Sequence, residues 1–202
     1  MMKNAVTTSK GEALHTPAFL KKIFNHPLAG LIWLPIRVWI GWQWLEAGLE
    51  KFKNPAWMQT GLGLKGFWMG AVAIPAKGTA PIHYAWYRAF LQMLLNAQAY
   101  TWFAKLITIG EILVGVALIL GVFTWFSALM GGLMNWNYIM AGSASVNPMF
   151  LILSVFLVLA WKVAGYFGAD YFLVPWFASL FGQKETNTES VPAGLPKGAQ
   201  AR

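Results

Sequence analysis

Cysteine is absent from the 202-residue chain. That excludes disulfides, thiolate metal sites, iron–sulfur clusters and a cysteine-based sulfur carrier within it. Histidine is scarce: His15, His26 and His83 stand far apart, without the i, i+4 spacing of a ligand pair, so neither a metal centre nor a covalent haem is expected. Charge is scarce too. Only 11% of residues are charged, against about 25% in a soluble domain, and 57% are hydrophobic, so composition favours a membrane protein. The formal charge of +8 is dispersed over the N-terminal arm, the first loop and the tail and forms no nucleic-acid motif. The expected partner is the lipid bilayer, with anionic headgroups near the basic ends. Electrons, if they pass, need a bound organic carrier or a partner subunit.

What the chain does have is long apolar runs: Leu28–Leu49, Tyr100–Leu120, Val122–Ala141 and Val146–Phe167. Each is about 20 residues, enough at about 1.5 Å per residue to cross a hydrocarbon core of about 30 Å. The expected fold is all-α, an integral membrane four-helix bundle with an interfacial amphipathic helix in the first loop. Residues 1–27 form a polar, basic arm, 28–178 the membrane domain and 179–202 a polar tail, disordered from Val191 onward. The first apolar run is too long, and lacks the small-x-small site, for a cleaved signal peptide, so it reads as an uncleaved helix that Pro35 can kink. Lys21 and Lys22 put the N-terminus in the cytoplasm, and four crossings return the C-terminus there. The 50–100 loop and the 141–147 turn then lie outside. Trp33, Trp102 and Trp125 read as interfacial anchors.

Within the first loop, Gly61–Ile74 is apolar and glycine-rich and suits an interfacial or re-entrant segment buried against protein. From His83 to Gln98 a helical period follows. Tyr84, Arg88, Gln92 and Asn96 form its polar stripe, and Trp86, Phe90, Met93, Leu94 and Ala97 its apolar face. The third and fourth helices are joined so briefly that they must pack antiparallel. Ala128-x-x-x-Gly132 and Ala117-x-x-x-Gly121 supply small residues for close approach.

Charges inside apolar runs cost at least a few kcal/mol each in lipid, so they should face one another or a wet cavity. The first run holds Arg37 and Glu46, the second Lys105 and Glu111. In an antiparallel arrangement Arg37 with Glu111 and Glu46 with Lys105 fit one register to within a turn. Arg37 and Glu46 point to opposite sides, however, so only one pair lies squarely on the shared face, and Arg37–Glu111 is preferred. Such a pair reads either as a structural tie that fixes helix order or as part of a proton or anion path, or of a quinone-headgroup site. Glu46 and Glu50 lie one turn apart and suit proton exchange. Lys51, Lys53 and Arg88 offer positive charge to an anionic substrate. Asn135, Asn137 and Tyr138 add polar groups to the third helix that can bridge helices. Lys162 reads as a snorkelling residue outside the site.

Arg37-Val-Trp-Ile-Gly41, Gly48-Leu-Glu50-Lys51, Pro55-Ala-Trp57, Gly110-Glu111, Gly115, Gly121, Asn147-Pro148 and Gly165-Tyr-Phe-Gly168-Ala-Asp170 follow in order. The set resembles the DoxX family over roughly residues 30–175, and within it the DoxD-like branch, named for the membrane subunit of thiosulfate:quinone oxidoreductase. The resemblance implies a four-helix bundle in a prokaryotic cytoplasmic membrane, quinone as electron acceptor, a small partner subunit and oxidation of two thiosulfates to tetrathionate. Arg37, Glu50, Lys51, Glu111 and Asp170 fall on the family pattern, whereas Glu46 and Lys105 rest on charge and depth alone. The catalytic set is then Glu46, Glu50, Arg37 and Glu111, with Lys51, Lys53 and Arg88 for the substrate. A non-catalytic membrane protein that docks a redox or stress-response partner is the alternative. An anion or proton permease is disfavoured because the chain lacks inverted repeats and paired broken helices.

Overall fold

The computed structural model describes residues 16–180, and the side chains to residue 179. The described residues hold helices and turns and no strand. In order they are α1 (Ala18–Asn25), a 3-10 turn (Pro27–Ala29), α2 (Gly30–Lys53), α3 (Pro55–Met58), α4 (Leu62–Val72), α5 (Ala85–Asn96), α6 (Tyr100–Leu120), α7 (Thr124–Met140), α8 (Asn147–Leu159), α9 (Trp161–Ala164) and α10 (Asp170–Leu180). The all-α expectation therefore holds, and α6 has the boundaries read from the sequence. The tail beyond Leu180, with its expected disorder, lies outside the described residues, as do residues 1–15 of the N-terminal arm.

By length and composition, α6 is the one helix in the described residues that could cross a membrane by itself. The segments Ala18–Asn25 and Pro27–Lys53 reach that standard only together, with a bend of 66° at the break between them. The bend falls at His26-Pro27; α2 runs on through Pro35 as one helix. The expected fourth run is interrupted. Helix α8 ends at Leu159, α9 adds a single turn, and Gly165 and Gly168 follow. Two glycines in four residues propagate a helix poorly, and the carbonyls freed there are used elsewhere, by Arg37.

Two helix seams organise the packing. Helix α2 runs antiparallel to α6, and glycines set their separation. A Cβ on Gly41 would meet the Gly115 carbonyl at 2.9 Å, and one on Gly48 would meet Ile112 Cγ1 at 2.7 Å. Close backbone approach of this kind gives van der Waals contact that larger residues forbid. The second seam joins α7 to α8 antiparallel, as the short connection required. There Gly132 sits against Ser154 and Leu151, the role read for the Ala128–Gly132 spacing.

The buried apolar residues form two clusters. One, between the long helices, contains Trp33, Ile40, Trp44, Leu118, Ala128 and Leu157. The other lies beneath the first loop, where Leu64, Trp68, Tyr87, Leu91, Tyr100 and Ala104 meet. The Gly61–Ile74 segment thus holds the helix α4, buried against protein through Leu64, Trp68 and Ala71. Helix α5 buries Tyr87 and Leu91, while Trp86, Phe90 and Met93 of its expected apolar face are exposed. Leu94 of the apolar stripe packs on the second cluster, so only part of that stripe faces away from the protein, and α5 is apolar on more than one side.

Trp33 also departs from expectation. It is buried, and its indole donates to the Ile23 carbonyl at 2.9 Å, tying α1 to α2. Trp102 and Trp125 are exposed.

Candidate functional site

Helices α6 and α7 follow one another through a tight turn, yet between them opens an apolar cleft of about 630 Å³. Helices α4 and α5 supply the rest of its wall through residues such as Phe67, Trp68, Tyr87 and Leu91. The side chains of α6 and α7 that face each other here are Leu106, Ile107, Leu113, Met130, Leu133 and Met134, bulky and flexible where the α2–α6 seam has glycine. A volume of several hundred Å³ with mostly apolar walls and a few convergent polar groups is the usual form of a small-molecule site.

One polar group of the wall, Tyr138, leads out of the cleft to Glu111, which is 1% exposed. Lys51 Nζ donates to its Oε2 at 2.8 Å and to its Oε1 at 3.1 Å. The Tyr138 hydroxyl donates to Oε1 at 2.6 Å. Three helices meet in this chain: α2 gives Lys51, α6 gives Glu111 and α7 gives Tyr138. Lys51 is 20% exposed and also lies over the Trp57 ring at 5.3 Å, so it carries the chain toward the surface. Tyr138 lines the cleft at the other end, with its ring edge-on to Phe67 at 6.0 Å. A buried carboxylate is tolerated because donors on two sides compensate its lost hydration. The arrangement can move a proton between the cleft and the Lys51 side through hydroxyl and carboxylate.

A second hydroxyl on the wall, that of Tyr87, donates to Asn137 at its carbonyl oxygen (3.1 Å) and at Oδ1 (3.2 Å). Burial holds the Tyr87 phenol above the usual tyrosine range, so it remains a protonated donor near neutral pH. Ser127 Oγ, the third, donates to the Val122 carbonyl at 3.1 Å.

The preferred pair Arg37–Glu111 does not form. Arg37 is buried, but its Nη1 donates to the Ala164 carbonyl at 2.9 Å and its Nη2 to the Phe167 carbonyl at 3.2 Å. The cause is register. Along α6 the level of Arg37 is that of Gly121, whose absent side chain leaves room for the guanidinium. This is about ten residues, or about 15 Å, from Glu111. The same offset brings Lys51 to Glu111. Glu46 and Lys105 are both exposed and form no ion pair, Lys51–Glu111 being the one salt bridge among the described residues.

Glu50 and Lys53 are exposed near the same end of α2 as Lys51. Arg88 is half-buried and spends its Nη2 on the Ile82 carbonyl, holding the start of α5 in place. Asp170 is buried, and its carboxylate accepts from the backbone N–H of Phe123 at 2.6 Å and of Thr124 at 2.8 Å. It caps the first turn of α7 from a distant part of the chain. Arg37 and Asp170 thus both secure the 164–170 segment, at the end of the cleft where α6 turns into α7. Lys162 lies beside the Trp161 ring at 5.6 Å, apart from the cleft.

The profile of the DoxX family matches residues 32–144, more than half of the chain. The chain belongs to the DoxX family. DoxX domains are generally membrane-associated. The match takes in Lys51, Glu111 and Tyr138, so the whole hydrogen-bonded chain lies inside the DoxX region, whereas Asp170 lies beyond it. No curated protein and no solved structure matches the chain.

Sequence reasoning singled out Lys51 and Glu111 separately and counted Tyr138 among polar groups that bridge helices. It missed the cleft and Tyr87. Paired tyrosine and asparagine at 137–138, one turn from the end of an apolar helix, were the available signal.

Proposed function

We propose that this DoxX-family chain is a membrane component of quinone-linked oxidation of a sulfur compound, with thiosulfate oxidised to tetrathionate, as in the DoxD-like branch. The observation that carries the reading is the apolar cleft ending on the Tyr138–Glu111–Lys51 chain. Its size and aromatic walls fit a quinone ring, and its polar end is a proton route. In the overall reaction two thiosulfates join through a new S–S bond and release two electrons, and a quinone takes these up with two protons to become a quinol. The chain's own groups bind, orient and move protons. Phe67 and Trp68 contribute flat apolar contacts, Tyr138 and Glu111 pass protons, and Lys51 holds the carboxylate. Glu46 and Glu50, exposed along the same helix, collect protons from solvent. Lys53 is the cation left for the anionic substrate; Lys51 and Arg88 are engaged with protein groups. A small partner subunit completes the sulfur chemistry, since the chain has no thiol to carry it.

Membrane insertion is part of the proposal. Leu31, Trp42, Leu113 and Ile152 are more than half exposed, far more apolar surface than a water-soluble monomer presents. Helices α2, α6, α7 and α8 would form the four-helix bundle, with both termini on the cytoplasmic side of the inner membrane. The Lys51 end then faces outward.

The test is thiosulfate-dependent reduction of a water-soluble quinone by the purified chain in lipid vesicles, with and without its native partner. Wild type should turn over, and Glu111→Gln should lose at least tenfold. A native complex without turnover would overturn the reading in favour of a non-catalytic docking protein, and the partner recovered with it would identify what is docked.

A further inference from the structure

The hydroxyls on the wall of the cleft have a common orientation of hydrogen bonding. Tyr138 gives its proton to Glu111, Tyr87 gives its proton to Asn137, and Ser127 gives its proton to the Val122 carbonyl. The direction at Tyr138 is imposed by charge. Lys51 donates to both oxygens of Glu111 from 2.8 and 3.1 Å, so that carboxylate is the acceptor for the phenol. What Tyr138 then has free is a lone pair. Donation to an anion also enriches the phenol oxygen in electron density and makes it a better acceptor. An apolar ligand that offers only a carbonyl oxygen to Tyr138 finds acceptor facing acceptor. A ligand that offers a hydroxyl completes the chain.

From this we infer that the cleft recognises an apolar ring molecule through a ring hydroxyl that donates to the Tyr138 oxygen. In the quinone-linked reading, on which this inference rests, the favoured ligand is the reduced, hydroxyl-bearing carrier, and the ionised Lys51–Glu111 pair is the state of the site that holds it. A carbonyl ligand requires a proton to enter the chain first, so that Tyr138 can turn its own proton toward the cleft. The opposing features on the wall are donors that would favour a carbonyl: the indole N–H of Trp68, and the second amide N–H of Asn137, whose first goes to the Leu133 carbonyl at 2.8 Å. Tyr138 and these donors predict opposite selectivity, which makes the assignment decidable by binding alone.

The experiment titrates the full-length purified protein in detergent with four probes and follows tryptophan fluorescence. The probes are 4-heptylphenol, its methyl ether, a 1,4-benzoquinone with the same alkyl chain, and 1-decanol. The phenol should bind about tenfold more tightly than the ether, the scale of one hydrogen bond to a charge-linked group. In Tyr138→Phe that ratio should fall to near one while the ether's affinity stays the same. Equal binding of phenol and ether in wild type would overturn the inference and leave the cleft as an apolar site. Tighter binding of the quinone would overturn it in favour of the Trp68 and Asn137 donors. Decanol as tight as the phenol would overturn the ring and assign the site to a lipid alcohol. No saturable binding of any probe would remove the cleft from both this inference and the reading beneath it. If Tyr138→Phe fails to fold, the wild-type comparison of phenol with ether still decides the matter.

Discussion

Helix α6 meets α2 on one face and α7 on another, and the two faces are built on opposite terms. Toward α2 it presents Gly115, and a Cβ there would come within 2.5 Å of the Leu45 backbone nitrogen. Toward α7 it presents Gly110, where a Cβ would meet nothing nearer than Met134 Sδ at 3.8 Å. One glycine is a point of contact between backbones; the other borders a cleft. Neighbours in sequence are therefore not the tightest neighbours in space: α6 is fitted to α2 across the whole first loop and stands off from the helix that follows it. Only the second contact leaves room for a ligand, and only the first fixes the register that brings Lys51 to Glu111.

The largest effect should come from breaking the tight face. Gly115→Leu forces a side chain into the α2 backbone, which cannot yield as a side-chain tip can, and should cost about 3 kcal/mol or more in stability. Thermal unfolding in detergent, or loss of monodisperse protein, measures it. Next is the tie across the seam. Lys51→Met leaves Glu111 buried without its cation and should cost about 2–3 kcal/mol, less than a fully buried pair because Lys51 reaches solvent. The double variant Lys51→Met with Glu111→Leu should be more stable than the sum of the single losses by about 1 kcal/mol or more; additive losses would refute the coupling. Asp170→Ala removes two backbone partners at the first turn of α7 and should cost about 1–2 kcal/mol. The smallest change in stability belongs to the open face. Gly110→Leu should shift stability by less than about 1 kcal/mol while filling the cleft and abolishing binding of the phenol probe. A loss of stability comparable to that of Gly115→Leu would mean that the two faces are alike after all.

How legible the molecule was from its sequence differs residue by residue. The boundaries of α6 were readable because the run is apolar, long and ended by Gly121, which takes a left-handed φ of 71°. The antiparallel pairing of α7 with α8 followed from a connection too short for any other course. The interruption of the last run was not read, because apolar composition continues through residues 160–167 although the helix does not. The polar partners were harder still. Arg37, Glu46, Lys105 and Glu111 were paired by depth, and depth along two helices has meaning only once their relative slide is known. Gly41, Gly48 and Gly115 set that slide by letting backbones touch, and each looks in the sequence like any other glycine of a membrane segment.

What the sequence determined by itself is therefore the class of the protein: helical, strongly apolar, free of cysteine chemistry, and carrying a few buried charges that had to find partners. Hydrophobicity and the exclusion of unpaired charge act on each residue wherever it ends up, so composition and period suffice to read them. Which charge met which partner was decided by tertiary structure alone. The contact of Lys51 with Glu111, the closing of Tyr138 onto that carboxylate and the capping of α7 by Asp170 join residues between 27 and 60 positions apart. Each depends on how a helix slides or turns by a few ångströms, a degree of freedom that backbone contact at the glycine seam removes for Lys51 and Glu111 and that no local pattern records.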